Sequence, residues 1–246
     1  MNLGADFERD GFVVLRGVVP AGELVDMCAL HAALIPDHAP APAGLLEVTG
    51  AARANPGLAA IAHDGRFGAL AARALGAPTV QHLQDSLLYK PARHGAVVEW
   101  HQDHTYLGFL VPPRILALRI ALAPETEASG CMRVVPGSHA WGPVDAVRAL
   151  SDTSVASLLP ALSPAQRDAV SRAQPLELAP GDVSIHHCLT LHGSGPNRSD
   201  LARRTIILRM FDADCRLDRA RLPPGADTYF PTTGDDHLSP EHFPIV

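Results

Sequence analysis

From Val80 onward the chain consists of short apolar, β-branched runs that end at proline or glycine residues. Runs of this composition are typical of strands, and the turns between them are too closely spaced for long helices. Several such strands in succession predict an antiparallel barrel or sandwich. The predicted strands are Val80–Tyr89, Val97–Asp103, Arg114–Leu122, Met132–Val135, Asp182–His192 and Arg203–Phe211.

The first 78 residues differ from the rest because alanine and leucine are abundant in them. They predict two helices, Ala21–Ile35 and Gly57–Leu75, and an extended segment at Gly11–Val19. Another helix is predicted to begin at Ser163, which can form a capping box with Gln166. We expect one domain over residues 1–246, with a mainly helical part at 1–78, a β core at 79–215, a helical insert at about 143–175 and an irregular tail at 216–246.

The composition excludes several classes of protein. With 47% hydrophobic and 19% charged residues, the chain can bury a core. A formal net charge of −6 argues against nucleic-acid binding, which requires a basic surface. The four cysteines form no CxxC pair, so we expect neither a disulfide framework nor a zinc–thiolate site. The acidic N-terminal stretch is unlike a signal peptide, and Arg119 interrupts the apolar residues 115–124. We therefore expect a cytoplasmic protein, monomeric or homodimeric, with no membrane contact.

Alternation along Asp182–His192 places polar side chains on one face of that predicted strand. If helices cover the outside of a barrel, this polar face points inward. An interior lined with histidine, serine and threonine predicts a ligand site rather than a packed core. The residues that share the polar face are Ser184, His186, Cys188, Thr190 and His192.

A metal site is predicted from His101, Asp103 and His192. On an extended strand, residues two apart project to the same side, so His101 and Asp103 can converge on one ion. Two histidines and one carboxylate form the facial triad of non-haem iron(II) oxygenases, which leaves coordination positions open. An HxD sequence alone is more often a surface or hydrogen-bonded pair, and a histidine at a strand end is often only structural.

Arginines follow the last of these histidines, after the turn-forming stretch GSGPNRS. Arg203 and Arg204 begin a strand, and a guanidinium can bind both oxygens of a carboxylate. On one strand the two arginines must face opposite ways. The companions of Arg204 are apolar, so we expect Arg203 to face the interior. Without a metal site, both would be interpreted as solvated charges.

The stretches LQDSLLYKP, WHQDHTY, ASGCMRVVPGSH, APGDVSIHHCLTLHGSGPNRS and ARRTIIL resemble the phytanoyl-CoA dioxygenase family, which includes the ectoine hydroxylases. The resemblance covers about residues 80–211, with a weaker similarity in FERDGFVVLRGVV. It implies a double-stranded β-helix (jelly-roll) core that is mainly β with flanking helices. It also implies iron ligation by His101, Asp103 and His192, and binding of 2-oxoglutarate by Ser194 and Arg203.

The family implies an oxygenase that uses iron(II), 2-oxoglutarate and O₂, with ascorbate as a reductant in vitro. Hydroxylation of an unactivated C–H bond is the expected reaction, with succinate and CO₂ as co-products. Desaturation, cyclisation and epimerisation remain open, because sequence does not separate them from hydroxylation. A halogenase is disfavoured, because halogenating relatives have a small residue where this chain has Asp103. A non-catalytic metal-binding jelly roll is disfavoured by the intact triad and its arginine.

The substrate is expected to be a small molecule, and the cations among the candidate pocket residues would suit an anionic group. Gln84 matches a substrate-side glutamine of ectoine hydroxylases, whereas Leu88 and Leu107 depart from the pattern of those enzymes. Each candidate can equally be a residue that only fills space. The candidates are Gln84, His104, Tyr106, Arg119, His186 and Arg209.

Overall fold

The computed structural model describes residues 2–37, 39, 41, 44–94, 96–144, 157–222 and 225–246. Its strands form two larger antiparallel sheets and one small one, as the turn-punctuated sequence predicts. The large sheet has six strands in the order β1-β9-β6-β11-β3-β2, the second has β4-β10-β7-β8, and the small one has β12-β5. The strands are β1 (Phe12–Leu15), β2 (Leu46–Thr49), β3 (Val80–Lys90), β4 (Val98–His101), β5 (Leu110–Val111), β6 (Ile115–Ala121), β7 (Met132–Val134), β8 (Gln174–Pro175), β9 (Val183–His187), β10 (His192–Ser194), β11 (Arg203–Asp212) and β12 (Arg216–Leu217).

Helices cover the outer face of the large sheet. The largest apolar cluster joins Phe7 and Phe67 of these helices to Ile206, Leu208 and other buried residues of the sheet. Its burial supplies the main stabilisation and leaves the opposite face of the sheet turned toward the second sheet. In the described residues no helix is both long enough and apolar enough to span a bilayer. The helices are α1 (Leu3–Asp10), α2 (Ala21–Leu34), α3 (Pro56–Ala62), α4 (Gly65–Leu75), α5 (His104–Leu107) and α6 (Pro164–Ser171).

Helix α6 begins as predicted. Ser163 accepts a hydrogen bond from the backbone of Gln166, and the Gln166 side chain accepts one from the Ser163 backbone. This capping box satisfies two amides that the first turn of a helix leaves without partners. The remainder of the predicted insert includes residues 145–156, which lie outside the described residues.

Two predicted elements are divided in the structure. The single helix expected at Gly57–Leu75 is wrong, because α3 ends at Ala62 and Asp64 caps α4 by accepting from the backbone of Arg66 at 2.8 Å. The single strand expected at Asp182–His192 is also wrong. The chain turns after His187, where the Thr190 amide donates to the His187 carbonyl at 2.9 Å. That turn carries the chain from the large sheet to the second sheet, which strand periodicity alone does not reveal.

The C-terminal segment is held against the sheets rather than trailing. Leu238 and Phe243 are each 1% exposed and belong to an apolar cluster with Phe109 and Phe211. The Val246 amide donates to the carbonyl of Val80 at 3.1 Å. These contacts hold residues 238–246 against the first residues of β3 and the neighbouring apolar cluster.

Candidate active site between the two sheets

A cavity of about 350 Å³ lies between the two larger sheets. Most of the residues singled out from the sequence line it, which the spacing along strands β3, β6 and β11 explains. His104 does not line it, although it is buried. Those that do are Gln84, His101, Asp103, Tyr106, Arg119, His186, His192, Ser194, Arg203 and Arg209.

Two imidazoles are brought together by strand pairing. His101 on β4 and His192 on β10 are directly opposed in the antiparallel register, and their ring centroids are 4.1 Å apart. His101 Nδ1 is hydrogen-bonded to the Glu99 carbonyl at 2.7 Å, and His192 Nδ1 to the Thr190 carbonyl at 2.9 Å. Since a carbonyl only accepts, both Nδ1 atoms carry the proton and both Nε2 atoms present a lone pair. This is the arrangement that orients histidine ligands of metals.

Asp103 reaches the same point by a different route from the one predicted. Strand β4 ends at His101, and Asp103 has helical backbone angles (φ −58°, ψ −28°) at the start of α5. Its carboxylate therefore converges through a turn and not through strand alternation. The same turn places His104 at the start of α5, so it is the one candidate substrate residue that does not line the cavity.

The three side chains fit a divalent metal. Asp103 Oδ1 lies 3.9 Å from the Nε2 atoms of both His101 and His192, too far for a hydrogen bond. One ligand atom from each residue lies within 4.8 Å of the others, and all three residues are buried. Atoms so spaced can each approach one ion to about 2.0–2.2 Å with small adjustments. Burial and the neighbouring imidazoles lower the pKa of His192 well below its usual value, which keeps it a neutral donor.

His186 holds the outer oxygen of this carboxylate. Its Nε2 donates to Asp103 Oδ2 at 3.3 Å, while Oδ1 faces the two ligand imidazoles. Burial would raise the pKa of Asp103, but the hydrogen bond from His186 and the nearby charges of His192 and Arg209 together outweigh it, so that pKa lies well below its usual value. The sequence suggested His186 as a substrate residue. His186 lines the cavity, and its hydrogen bond to Asp103 is of the kind that orients a carboxylate and leaves the other oxygen for a metal.

Removing this orienting contact should weaken metal binding. We expect His186→Ala to lower the affinity for cobalt(II) by about 10- to 100-fold, because an unrestrained carboxylate can rotate. His186→Gln should retain part of the affinity, since its amide can still donate. Absorbance titration with cobalt(II) measures both, with His237→Ala as a control on a distant surface histidine. Unchanged affinity in His186→Ala would show that the contact has no orienting role.

A group of cationic side chains contacts the same cavity, and we call it the cationic end. Arg119 and Arg203 line the cavity, and Lys90 contacts Ser194, which also lines it. Arg203 is directly opposed to Lys90 in the pairing of β11 with β3, and both are at least 98% buried. Lys90 Nζ donates to Ser194 Oγ at 3.1 Å and to the Gly195 carbonyl at 2.6 Å. Arg203 donates through Nη1 to the Gly130 carbonyl, and its Nε has no hydrogen-bond partner among the described residues.

One buried carboxylate partly balances these cations. Glu125 is 0% exposed, pairs with Arg119 Nη2 at 3.0 Å and accepts from Thr205 Oγ1 at 2.6 Å. Arg119 Nη1 has no partner among the described residues. Lys90, Arg119 and Arg203 thus supply up to three positive charges around one negative charge. Uncompensated buried charge is costly, so this end of the cavity suits an anionic ligand.

The remaining substrate candidates are largely engaged with each other. Arg209 donates to Gln84 Oε1 at 3.1 Å and to Ser86 Oγ at 2.8 Å, and its Nη2 lies 3.6 Å from Glu47 Oε1. Tyr106 also lines the cavity. Because a carboxylate is near Arg209, its positive charge alone does not indicate an anionic substrate.

Sequence reasoning missed Lys90, Glu125 and Glu47. Lys90 has the same parity along β3 as Gln84, which was placed inward, so that signal was available. Glu125 lies in a loop after β6, and its burial follows only from the fold.

The chain is similar in sequence to known dioxygenases. A probable alpha-ketoglutarate-dependent hypophosphite dioxygenase of Stutzerimonas stutzeri is 33% identical over 129 residues, 51% of this chain and 43% of that protein. Ectoine dioxygenase of Sphingopyxis alaskensis is 27% identical over 241 residues, 87% of this chain and 76% of that protein. The chain therefore spans less than half of the first relative and about three quarters of the second.

Solved structures show the same fold. The epimerase SnoN, crystallised with Fe³⁺, alpha ketoglutarate and nogalamycin RO, superposes with a TM-score of 0.77 at 24% identity, covering 99% of this chain and 96% of SnoN. At this identity the likeness concerns the double-stranded β-helix architecture alone. The phytanoyl-CoA dioxygenase family (PhyH) model matches residues 7–205, more than three quarters of the chain. This chain belongs to the phytanoyl-CoA dioxygenase family.

Proposed function

We propose that this protein is an iron(II)- and 2-oxoglutarate-dependent oxygenase that hydroxylates an unactivated C–H bond of a small molecule. One observation carries the proposal: His101, Asp103 and His192 face the same cavity as the cationic end formed around Arg203. A facial triad leaves positions for a bidentate oxo acid and for O₂. The cationic end is placed to receive the distal carboxylate of that acid.

Different residues would bind the metal and the 2-oxoglutarate. His101, Asp103 and His192 would hold the metal, with His186 fixing the carboxylate. Arg203 and Ser194 would bind the distal carboxylate of 2-oxoglutarate. When bound, iron(II) and 2-oxoglutarate together supply the oxidising power for C–H cleavage, consuming O₂ and releasing succinate and CO₂. Leu88, Ala117 and Ile207 line the cavity between these groups and exclude water from the reacting carbon.

The relatives support this proposal and leave the outcome of the oxidation open. One relative is an ectoine dioxygenase, and a structural neighbour is an epimerase. Desaturation, cyclisation and epimerisation require the same metal and co-substrate, so product analysis must separate them from hydroxylation. Asp103 lies at the position where halogenation would require space for chloride, which disfavours a halogenase.

Anaerobic addition of iron(II) and 2-oxoglutarate should produce a weak visible charge-transfer band at about one iron per chain. A screen for succinate release, with ascorbate, O₂ and a metabolite library, then identifies the substrate. A chain that binds neither iron nor 2-oxoglutarate under these conditions would contradict the proposal.

Lys90 should make 2-oxoglutarate binding depend on pH. Burial, and then the charge of Arg203, lower the pKa of Lys90 to about 7. Below this pH the ammonium is charged and attracts the dicarboxylate; above it, binding must include uptake of a proton. We expect the KM for 2-oxoglutarate to rise above pH 7, by at most about tenfold per pH unit.

Steady-state kinetics between pH 6 and 8.5 tests this, with Lys90→Met as the comparison. Lys90→Met should have a higher KM at pH 6 and a flatter profile. If both proteins show the same slope, another group controls the pH dependence.

A further inference from the structure

A second cavity, of about 850 Å³, adjoins the first. We call it the outer cavity. It shares Thr49, Gln84 and Leu107 with the cavity that holds the triad, so the two cavities meet at these three residues. The outer cavity lies along residues 82–85 of β3, between two backbone hydrogen bonds. The Gly50 amide donates to the Asp85 carbonyl at 2.9 Å, and the His82 amide donates to the Pro244 carbonyl at 2.8 Å. The outer cavity is thus placed to hold the part of a substrate that extends away from the metal.

One wall of the outer cavity is aromatic. Phe109 and Phe230 have ring centroids 4.6 Å apart, and the rings of Phe230 and Phe243 are 6.1 Å apart and almost parallel, at 7°. The Arg53 guanidinium lies 6.0 Å from the centroid of Phe243, and the side chain of Tyr229 is exposed. Phe109 and Phe243 are each only 1% exposed, so the half-buried Phe230 presents the accessible ring surface, with Phe109 and Phe243 packed behind it. Flat rings of this kind favour a planar aromatic ligand through offset or edge contacts.

A buried imidazole faces the same cavity. His82 is 7% exposed, and its Nε2 has no hydrogen-bond partner in the part of the chain that the structure describes. Burial, and then the neighbouring His63, lower the pKa of His82 to about 4, so the ring is neutral at pH 7. A buried polar atom without a partner is costly, and a ligand that satisfies it gains specificity. A hydroxyl group can donate or accept, so it pairs with Nε2 in either tautomer.

On the basis of the proposed function, we infer that the substrate carries a planar aromatic ring with a hydroxyl group. The ring binds against Phe230, and the hydroxyl bonds to His82 Nε2, while the reacting carbon extends past Gln84 toward the triad. An acyl-coenzyme A fits less well. Arg53 is the sole arginine or lysine among the described residues that line the outer cavity, and Asp85 and Glu241 are also present, so its phosphates would lack cations.

The test is calorimetric binding to the full chain with iron(II) and 2-oxoglutarate, without O₂. The probes are 2-naphthol, its saturated analogue decahydro-2-naphthol, and octanoyl-coenzyme A. We expect 2-naphthol to bind at least about tenfold more tightly than the saturated alcohol. Equal affinity for the two alcohols, or preferential binding of octanoyl-coenzyme A, would overturn the inference.

Variants locate the binding. His82→Phe keeps an aromatic ring but removes the nitrogen, and Phe230→Ala removes the ring against which the ligand binds. Each substitution should weaken 2-naphthol binding at least about tenfold. Phe12→Ala, which alters a half-buried phenylalanine in a different apolar cluster, is the matched control and should not. If His82→Phe does not fold, Phe230→Ala still tests the inference. Phe230 is partly exposed, so its replacement should leave the fold intact.

The two proposals fail separately. A missing charge-transfer band, together with 2-naphthol binding that depends on His82 and Phe230, would contradict the oxygenase and leave the aromatic site supported. A normal charge-transfer band, together with 2-naphthol binding that is unaffected by replacing His82 or Phe230, would overturn the aromatic site alone.

Discussion

Replacing His192 with alanine should abolish turnover and the charge-transfer band, and Asp103→Ala should do the same. Each removes one of three ligand atoms that lie within 4.8 Å of one another. Among the described residues, this ligand group contains no fourth histidine, cysteine, aspartate or glutamate that could substitute for a lost ligand. Loss of even an outer partner costs about 10- to 100-fold in affinity, and loss of a ligand should cost more.

Anaerobic spectroscopy and succinate release measure both effects, and circular dichroism verifies the fold. His237→Ala is the control, because that imidazole lies outside the cavity and pairs with Asp235 at 2.8 Å. Turnover like that of the unmodified protein in His192→Ala would move the third ligand elsewhere. His186 would then be the first replacement to examine, since it lies against the same carboxylate.

Replacement of two neighbouring arginines by alanine should change the KM for 2-oxoglutarate by very different amounts. Arg203→Ala should raise the KM for 2-oxoglutarate steeply, because it removes a buried charge at the cationic end of the cavity. Loss of one charged contact in a sheltered site costs about 2–5 kcal/mol, or roughly 30- to 5,000-fold. Circular dichroism should show an intact fold.

Arg204→Ala is the matched control. Its guanidinium points to the outer side, where it contacts His31 at 2.6 Å and Asp37 at 2.5 Å and lies over the ring of Tyr89 at 4.5 Å. We expect its KM to change by less than about tenfold, which is 1.4 kcal/mol, while its Tm falls because helix α2 loses an attachment. Steady-state kinetics and thermal unfolding of both variants measure the difference. The reverse ranking of KM would contradict the assignment of Arg203.

Alternation along β11 was readable from sequence. Ile206, Leu208 and Met210 pack beneath the helices, whereas Arg203 and Arg209 line the cavity. This inference succeeded because one face of the strand is uniformly apolar beyond Arg204 and a strand has a period of two. The capping box at Ser163 was readable for a similar reason, since its contacts join residues three apart.

The strand predictions made from the local sequence pattern were wrong where the chain turns. Asp103 was placed on a strand, yet it reaches the two histidines from the start of α5. His186 and His192 were placed on one strand, yet they belong to β9 and β10 in different sheets. Turns at these points depend on hydrogen bonds to distant segments, such as Thr190 Oγ1 to the Gly11 carbonyl at 2.7 Å. No sequence window contains both partners.

The composition of the candidate site could be predicted from sequence: two imidazoles, one carboxylate and an arginine, in an order that resembles one family. The succession of strands could also be predicted, because periodicity and turn residues act over a few neighbours. The pairing of His101 with His192 and the hydrogen bond from His186 to Asp103 depend on the folded structure. The burial of Lys90 and Glu125 and the place of His82 in the outer cavity likewise depend on it. These are contacts between residues far apart along the chain, and they exist only once the two sheets have packed together.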